Sequence, residues 1–313
     1  MPSRLIIILA IFALLVGTLL LRSDALWGAR AEVSVETPLA PPEGALRVFH
    51  LGHSLVGRDM PAMVAQLAGE GHEYQLQLGW GTSLREHWEP DLAINGFEIE
   101  NNTPMYNDAK EAVGSGDYDA VVFTEMVEIK DAVRYHKSDL YLSRWADLAH
   151  TGNTETRIYL YESWHRLDDP KGWLTRLDED LGEYWQKRIL QRALARSKSG
   201  TSIYLIPAGQ VMAQFVRQVE VLGGIGNVKS REDLFARLEN GELDVIHMND
   251  LGAYLVALTH YAVLYHRTPV GLPFNLLRAD GTLAAAPDPD VARLMQETVW
   301  DVVTRHSFTG VTP

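Results

Sequence analysis

Residues 47–55, RVFHLGHSL, decide the fold that this sequence predicts. Arg47–Leu51 has the length and the β-branched and aromatic bias of a buried strand. After it, Asp59 is suited to cap a helix, and apolar residues recur at intervals of three and four over residues 60–68. The segment therefore predicts a strand, a turn and a helix, with the hydroxyl of Ser54 in the turn.

Other runs of strand length follow this segment, separated by stretches with helical spacing. They are Tyr74–Leu78, Ala120–Thr124, Arg157–Tyr161 and Ser202–Ile206. Strands that alternate with helices predict an α/β fold, a parallel sheet with helices on both faces. Ligands of such sheets bind beyond the carboxyl ends of the strands, where Ser54 follows the first strand and Gly81 the second.

Composition restricts the function classes. The chain has 313 residues, 46% hydrophobic and 22% charged, which is enough for one large domain or two small ones. Its net charge is −13, from 41 acidic and 28 basic residues without a basic run, which disfavours a nucleic-acid partner. The absence of cysteine excludes disulfides and thiolate catalysis. The histidines lack a spacing such as His-Glu-x-x-His, so we expect no metal site.

The N-terminal segment predicts targeting to a membrane. Leu5–Leu21 is an apolar run of 17 residues flanked by arginines, which is near the lower limit for a spanning helix. We expect residues 1–25 to be either a cleaved signal peptide or a retained N-terminal membrane anchor, and the pattern leaves both open. Either alternative predicts an exported protein, in the periplasm or another extracytoplasmic space.

The segments after it divide into a stalk, a domain and a C-terminal part. Prolines in residues 26–45 predict an extended stalk. We expect the folded domain over residues 46–275, with a loop and a C-terminal helix packed on it in residues 276–313. The protein would contact a membrane through its N-terminal segment if that segment is not cleaved, and no oligomeric state is predicted.

Ser54 and residues 244–247, DVIH, supply the groups of a serine hydrolase. A serine hydroxyl is a poor nucleophile until a base, usually histidine, takes its proton, and a carboxylate fixes the tautomer of that histidine. Asp244 and His247 lie three residues apart, on one predicted turn before a helix. Each residue also has an ordinary explanation, because Ser54 or Asp244 could cap a helix and His247 could lie on the surface. Asn249 offers a separate cap for the following helix, which frees Asp244.

These segments together resemble the SGNH/GDSL hydrolase family. The matching motifs are Leu51-Gly52-His53-Ser54, residues 79–84 with His87-Trp88, and residues 244–254, which fit Asp-x-x-His-x-Asn-x-x-Gly-x-Tyr. The resemblance spans about Arg47 to Arg267. It implies a flavodoxin-like three-layer α/β/α sandwich around a five-stranded parallel sheet, and ester hydrolysis without a cofactor.

The resemblance also implies a role for each matching residue. Ser54 would attack the ester carbonyl, His247 would act as general base and then as general acid, and Asp244 would orient His247. The backbone amides of Ser54 and Gly81 would form the oxyanion hole. The result would be a covalent acyl-enzyme that water hydrolyses.

The sequence departs from the family pattern at two positions. His53 stands where the family usually has Asp or Asn before the serine. Glu125 stands in the third block, where the family has Gly-x-Asn-Asp and the Asn donates to the oxyanion. Thr124 or Asn107 could replace that donor.

Aromatic residues and carboxylates near the strand ends suit a carbohydrate ligand, although ordinary packing explains the aromatic residues equally well. The candidate substrate contacts are His53, Trp80, Glu125 and Trp164. We therefore expect an exported serine esterase that acts on an acyl ester of a carbohydrate or envelope glycan, or on a small-molecule ester. The alternatives are an O-acyltransferase that uses the same site, and a non-catalytic glycan-binding or scaffold protein that retains the fold.

Overall fold

The computed structural model describes residues 38–312, and a five-stranded parallel sheet forms its centre. The strands are β1 (Arg47–His53), β2 (Glu73–Gly79), β3 (Ala120–Thr124), β4 (Arg157–Glu162) and β5 (Tyr204–Pro207). Their order in the sheet is β2-β1-β3-β4-β5, which is the flavodoxin-like order. The predicted fold class is therefore confirmed, and β1 lies between β2 and β3.

The helices connect the strands and cover the sheet. They are α1 (Asp59–Ala68), α2 (Leu84–Trp88), α3 (Phe97–Glu100), α4 (Ala109–Ser115), α5 (Ile129–Asp131), α6 (Ser138–Gly152), α7 (Trp173–Asp180), α8 (Gln191–Arg196), α9 (Ala208–Leu222), α10 (Asp250–Tyr265) and α11 (Pro289–Arg305). π-Helical segments span Ala132–His136 and Leu181–Leu190. A 3₁₀ turn at Arg231–Leu234 leads into a small antiparallel pair, β6 (Phe235–Arg237) and β7 (Leu243–Met248).

The two faces of the sheet carry separate cores, because successive side chains of a strand point to opposite faces. On one face, Val48 and Val122 pack with residues of α1, α9, α10 and α11. On the other face, Phe49 and Phe123 pack with residues of α4, α6 and α8. The result is the predicted arrangement of three layers, helices over sheet over helices.

Helix α10 is the most deeply placed helix of the first layer. Nearly every residue from Leu251 to Tyr265 is buried, and the helix packs against α1, α9 and α11. A helix that is apolar on all sides is stable only inside a protein, so this burial fixes where its N-terminus lies. Strand β7 ends two residues before α10 begins and is positioned by it.

The structure differs from the sequence prediction at Asp244 and His247. The spacing predicted a turn before a helix, but both residues lie in β7, which pairs antiparallel with the three-residue strand β6. The carboxylate of Asp244 nevertheless accepts the N–H groups of Ile246 and His247, as in a turn. The pairing of β6 with β7 also shifts register across this stretch, since Phe235 pairs with Met248 and Arg237 with Leu243.

The segments at the two ends of the described chain lie together. The N–H of Leu39 donates to the C=O of Gly310 at 3.0 Å, and the N–H of Leu205 donates to the C=O of Phe308 at 2.8 Å. Helix α11 adds Val291 and Val299 to the core. None of the helices within residues 38–312 has the length and apolar character needed to cross a membrane, and the predicted segment 1–25 lies outside the described residues.

Gly52 is the second-last residue of β1, and its replacement tests the packing between β1 and its neighbours. A Cβ at this position would lie 2.4 Å from Thr124 Cγ2 and 2.9 Å from Val56 Cγ2. We expect Gly52→Ala to lower the free energy of unfolding by about 1–3 kcal/mol through overpacking, as measured by urea denaturation.

Two further variants control this experiment. Thr124→Ser removes the nearest methyl group and keeps the hydroxyl that donates to the Tyr161 C=O at 2.8 Å, so the double variant should recover part of the loss. Gly44→Ala is the matched control, because a Cβ there would meet no atom within 4 Å. Equal losses at Gly44 and Gly52 would contradict the packing described.

Candidate active site

Ser54 lies in the turn between β1 and α1, at the carboxyl end of the sheet. The turn is closed by a hydrogen bond from Val56 N–H to His53 C=O at 2.9 Å. The serine is half-buried and borders a cleft of about 180 Å³. The other residues that line the cleft are Leu55, Val56, Gly57, Arg58, Asp59, Met60, Trp164, His247, Met248, Ala253 and Val256.

The structure brings Ser54, His247 and Asp244 into one hydrogen-bonded chain. Ser54 Oγ lies 3.0 Å from His247 Nε2, and His247 Nδ1 lies 2.8 Å from Asp244 Oδ2. Because an aspartate only accepts, Nδ1 carries the proton and donates it to the carboxylate. Nε2 is then the acceptor for the Ser54 hydroxyl, which is the tautomer that a general base requires.

Asp244 remains the charged member of this chain. Its partial burial acts to raise the pKa, but hydrogen bonds from His247 N–H, the His247 ring and Ile246 N–H outweigh the burial and lower the pKa. The other oxygen, Oδ1, accepts both backbone N–H groups at 3.0 Å. The carboxylate is thus held in one orientation by its own strand.

A loop after β4 holds β7 in place. The indole N–H of Trp164 donates to Ile246 C=O at 2.8 Å, and the Leu167 N–H donates to Val245 C=O at 2.8 Å. At the end of β7, Asn249 caps α10 by accepting the Leu251 N–H at 2.9 Å. These bonds fix the backbone on both sides of His247.

A buried arginine anchors this loop. Arg176 on α7 is 4% exposed, and its guanidinium binds Asp169 at 2.5 Å, Asp180 at 2.7 Å and Glu128 at 2.9 Å. A guanidinium that is buried among carboxylates and hydrogen-bonded to each of them is costly to disrupt. The sequence pattern does not identify Arg176, because its burial comes from the tertiary fold and its partner Glu128 lies 48 residues away.

The proposed oxyanion residues lie on neighbouring strand ends. In the parallel pair of β1 and β2, His53 lies opposite Gly79, so Ser54 and Gly81 follow adjacent strands at the same edge. Gly81 is exposed and has φ +59°, a left-handed conformation that favours glycine.

Of the four candidate substrate contacts, Trp164 is among the residues that line the cleft and Trp80 is not. Trp164 lines the cleft wall, with its N–H committed to β7. Trp80 is 47% exposed, its ring lies over Gly96, and its indole N–H donates to Glu100 at 2.7 Å. His53 and Glu125 are both 0% exposed, so neither reaches a substrate from its present position.

His53 supports the serine turn from beneath. Its Nε2–H donates to Glu125 C=O at 2.8 Å, and its Nδ1 accepts the Leu55 N–H at 3.3 Å. Burial lowers its pKa to about 4, so the ring is neutral at physiological pH. His53 therefore does not make the expected substrate contact, because both of its ring nitrogens are bonded to backbone groups.

The carboxyl group of Glu125 points to the start of α2. Its Oε1 accepts the Met126 N–H at 2.8 Å and the Leu84 N–H at 3.3 Å, and burial raises its pKa to about 7. The two suggested replacement donors are also engaged elsewhere. Thr124 donates to Tyr161 C=O, and Asn107 donates to Tyr118 Oη at 3.0 Å.

His87, a motif residue to which sequence reasoning assigned no role, supports β1 from the other side. Its Nε2–H donates to Gly52 C=O at 2.8 Å, and its Nδ1 accepts from Gln77 at 2.9 Å. Burial lowers its pKa to about 4. Within residues 38–312, no three His, Asp or Glu side chains are grouped so that they could hold a metal ion.

Comparisons with known proteins give only distant likenesses. No protein-family model matches the chain, and no curated protein matches it. A DUF4886 family protein from Bacteroides uniformis has 16% identity and a TM-score of 0.49, covering 83% of this chain and 95% of that chain. A gut microbial diltiazem-metabolizing enzyme has 12% identity and a TM-score of 0.37, covering 73% of this chain and 49% of that chain. Neither likeness is close enough to assign a function to this chain.

The buried carboxyl of Glu125 predicts a pH-dependent stability. Unfolded Glu125 ionises near its ordinary pKa of 4.5, whereas the folded residue keeps its proton until about pH 7. The stabilisation from protonated Glu125 is therefore complete below pH 4.5 and lost as the pH rises to about 7. Glu125→Gln cannot ionise, so its unfolding free energy relative to wild type should rise across this window by on the order of 3 kcal/mol.

Urea denaturation at a series of pH values measures this difference. The amide side chain of the Glu125→Gln variant retains an oxygen for both backbone N–H groups, so the comparison isolates the ionisation. Glu179→Gln removes an exposed carboxylate and controls for the loss of one negative charge. A difference between Glu125→Gln and wild type that stays constant from pH 4 to pH 8 would contradict the raised pKa.

Proposed function

We propose that this protein is a serine hydrolase of the SGNH type that cleaves carboxylic esters through an acyl-enzyme. The observation that carries the proposal is the 3.0 Å contact between Ser54 Oγ and His247 Nε2, with Asp244 bonded to the opposite ring nitrogen. The three groups lie beside an open cleft at the carboxyl end of a parallel sheet, where such folds bind ligands.

The proposed reaction begins with proton transfer from Ser54 to His247 Nε2 as Oγ attacks the ester carbonyl. The oxyanion that forms is stabilised by the amides of Ser54 and Gly81. The imidazolium then gives its proton to the leaving alcohol, and an acyl group remains on Ser54. His247 next takes a proton from water, which attacks the acyl-enzyme and releases the acid and the free serine.

Two properties of Asp244 support this assignment. Its lowered pKa keeps it negative, so it stabilises the imidazolium that forms on His247. Its hydrogen bond to Nδ1 also leaves Nε2 unprotonated in the resting state. His247 is 44% exposed at its side chain, so a substrate and then water can approach Nε2.

We further propose that the alcohol part of the substrate is a carbohydrate and that the protein acts after export. Trp80 supports the first part, because it is 47% exposed and an exposed indole ring can stack on a sugar. The apolar N-terminal run of the sequence supports the second part. Fractionation of cells that express the full chain tests the export.

Reaction with a fluorophosphonate probe tests the nucleophile. The probe should label Ser54, since a serine activated by histidine displaces fluoride, and peptide mapping should find the added mass at residue 54. Ser54→Ala should abolish both the labelling and the hydrolysis of p-nitrophenyl acetate. Ser202→Ala removes an exposed serine and should leave both intact. A folded protein that binds glycans but neither labels nor hydrolyses esters would instead be a scaffold.

Replacement of Asp244 tests the role of the carboxylate. Asp244→Asn keeps the shape but allows the wrong histidine tautomer, so we expect kcat to fall by roughly 10³–10⁴-fold with a smaller change in KM. Asp178→Asn, on the surface beside Arg217, is the control for the loss of one carboxylate. An Asp244→Asn enzyme with more than about a tenth of the wild-type kcat would remove Asp244 from the proposed mechanism.

A further inference from the structure

Arg58 is a cleft residue that the proposed reaction does not use. It follows Ser54 by four positions, directly precedes α1 and lines the same cleft as Ser54 and His247. Its Nε–H donates to Glu100 C=O at 3.0 Å, and its Nη2 donates to Ile99 C=O. These bonds hold the guanidinium at the C-terminal end of α3.

The positive charge of Arg58 has no counter-ion in the part of the chain that the structure describes. Its two partners are neutral carbonyl oxygens, and no carboxylate of residues 38–312 forms an ion pair with it within 4.0 Å. The adjacent carboxylates are engaged elsewhere. Asp59 accepts the Ala279 N–H at 2.9 Å, and Glu100 accepts the Trp80 indole N–H at 2.7 Å.

Other arginines of residues 38–312, such as Arg134 and Arg267, also form no ion pair within 4.0 Å, but Arg58 differs from them because it lines the cleft beside Ser54 and His247. Leu55, Val56, Met60 and Met248 line the cleft beside it, together with the polar residues Asp59 and His247. Low-dielectric protein around a charge strengthens the attraction between an arginine and an anion. The Nη1 nitrogen, which has no partner among residues 38–312, remains available to donate to a ligand.

We propose that Arg58 determines specificity by binding an anionic group, a carboxylate or phosphate, of the ester substrate. This inference rests on the proposed function of Ser54. The planar guanidinium matches the paired oxygens of these groups, and charge-assisted hydrogen bonds are stronger than neutral ones. The hydrogen bonds to the end of α3 already orient the guanidinium, so little side-chain freedom is lost when the anion binds.

Matched pairs of esters test the inference. Mono-4-nitrophenyl succinate and 4-nitrophenyl levulinate differ by a negative charge on the acyl part, and 4-acetoxybenzoate and its methyl ester differ by one on the alcohol part. Wild-type protein should favour the charged ester of at least one pair. In Arg58→Gln, kcat/KM for that ester should fall about tenfold more than for its neutral partner, mainly through KM.

Two variants and the salt concentration sharpen the test. Arg58→Lys keeps the charge without the fork, so it should retain part of the preference. Arg293→Gln removes an exposed arginine on α11 and causes the same change in net charge, so the preference should persist. Raising NaCl from about 20 mM to about 500 mM should reduce the preference in wild type.

Several results would overturn the inference. One is a wild-type protein that hydrolyses the neutral ester of each pair as well as the charged ester, or better. Another is an equal fall for both members of each pair in both Arg58 variants, which would mean that Arg58 only holds α3. Loss of the preference in Arg293→Gln would mean that the preference comes from the net charge of the protein and not from Arg58. If wild type hydrolyses none of the esters and Ser54 is not labelled by fluorophosphonate, the proposed function itself fails, and the inference fails with it.

Discussion

The hydrogen bond between Ser54 and His247 is the contact on which the proposed chemistry depends, and it joins residues 193 positions apart in the sequence. Residues so far apart in sequence meet only through the tertiary fold, so the fold must position both side chains. The parallel sheet delivers Ser54 at the end of β1, and the buried helix α10 fixes the end of β7, which carries His247. The loop after β4 completes the frame through Trp164, whose indole holds the backbone beside His247, and through the anchor at Arg176.

Two neutral histidines support the end of β1 beside this contact, and the charged side chains at the site have other positions. His53 and His87 bind backbone carbonyls on either side of the end of β1, and burial keeps both rings uncharged at neutral pH. Both nitrogens of each ring already form hydrogen bonds, so neither ring competes with His247 for the hydroxyl proton. Of the charged residues at the site, Asp244 is held against His247, Asp59 accepts the Ala279 N–H, and Arg58 has no counter-ion among residues 38–312.

The sequence predicted the sheet well, because each strand is a local run of apolar residues and the alternation with helices fixes a parallel topology. It also predicted which three side chains would meet, through the resemblance of residues 244–254 to a family motif. It did not predict β7 as a strand, since the partner β6 has only three residues and leaves no pattern. Nor did it predict that His53 and Glu125 would be sealed from solvent, because burial depends on packing from elements far along the chain.

The most direct test of the central claim is a crystal structure of the protein after reaction with a fluorophosphonate. We predict phosphorus bonded to Ser54 Oγ, with the phosphoryl oxygen within about 3.1 Å of the backbone nitrogens of residues 54 and 81. His247 Nε2 should remain within hydrogen-bond distance of the modified Oγ. An unmodified Ser54 after complete exposure to the reagent, or a phosphoryl oxygen directed away from both amides, would contradict the assignment of this site as a serine hydrolase centre.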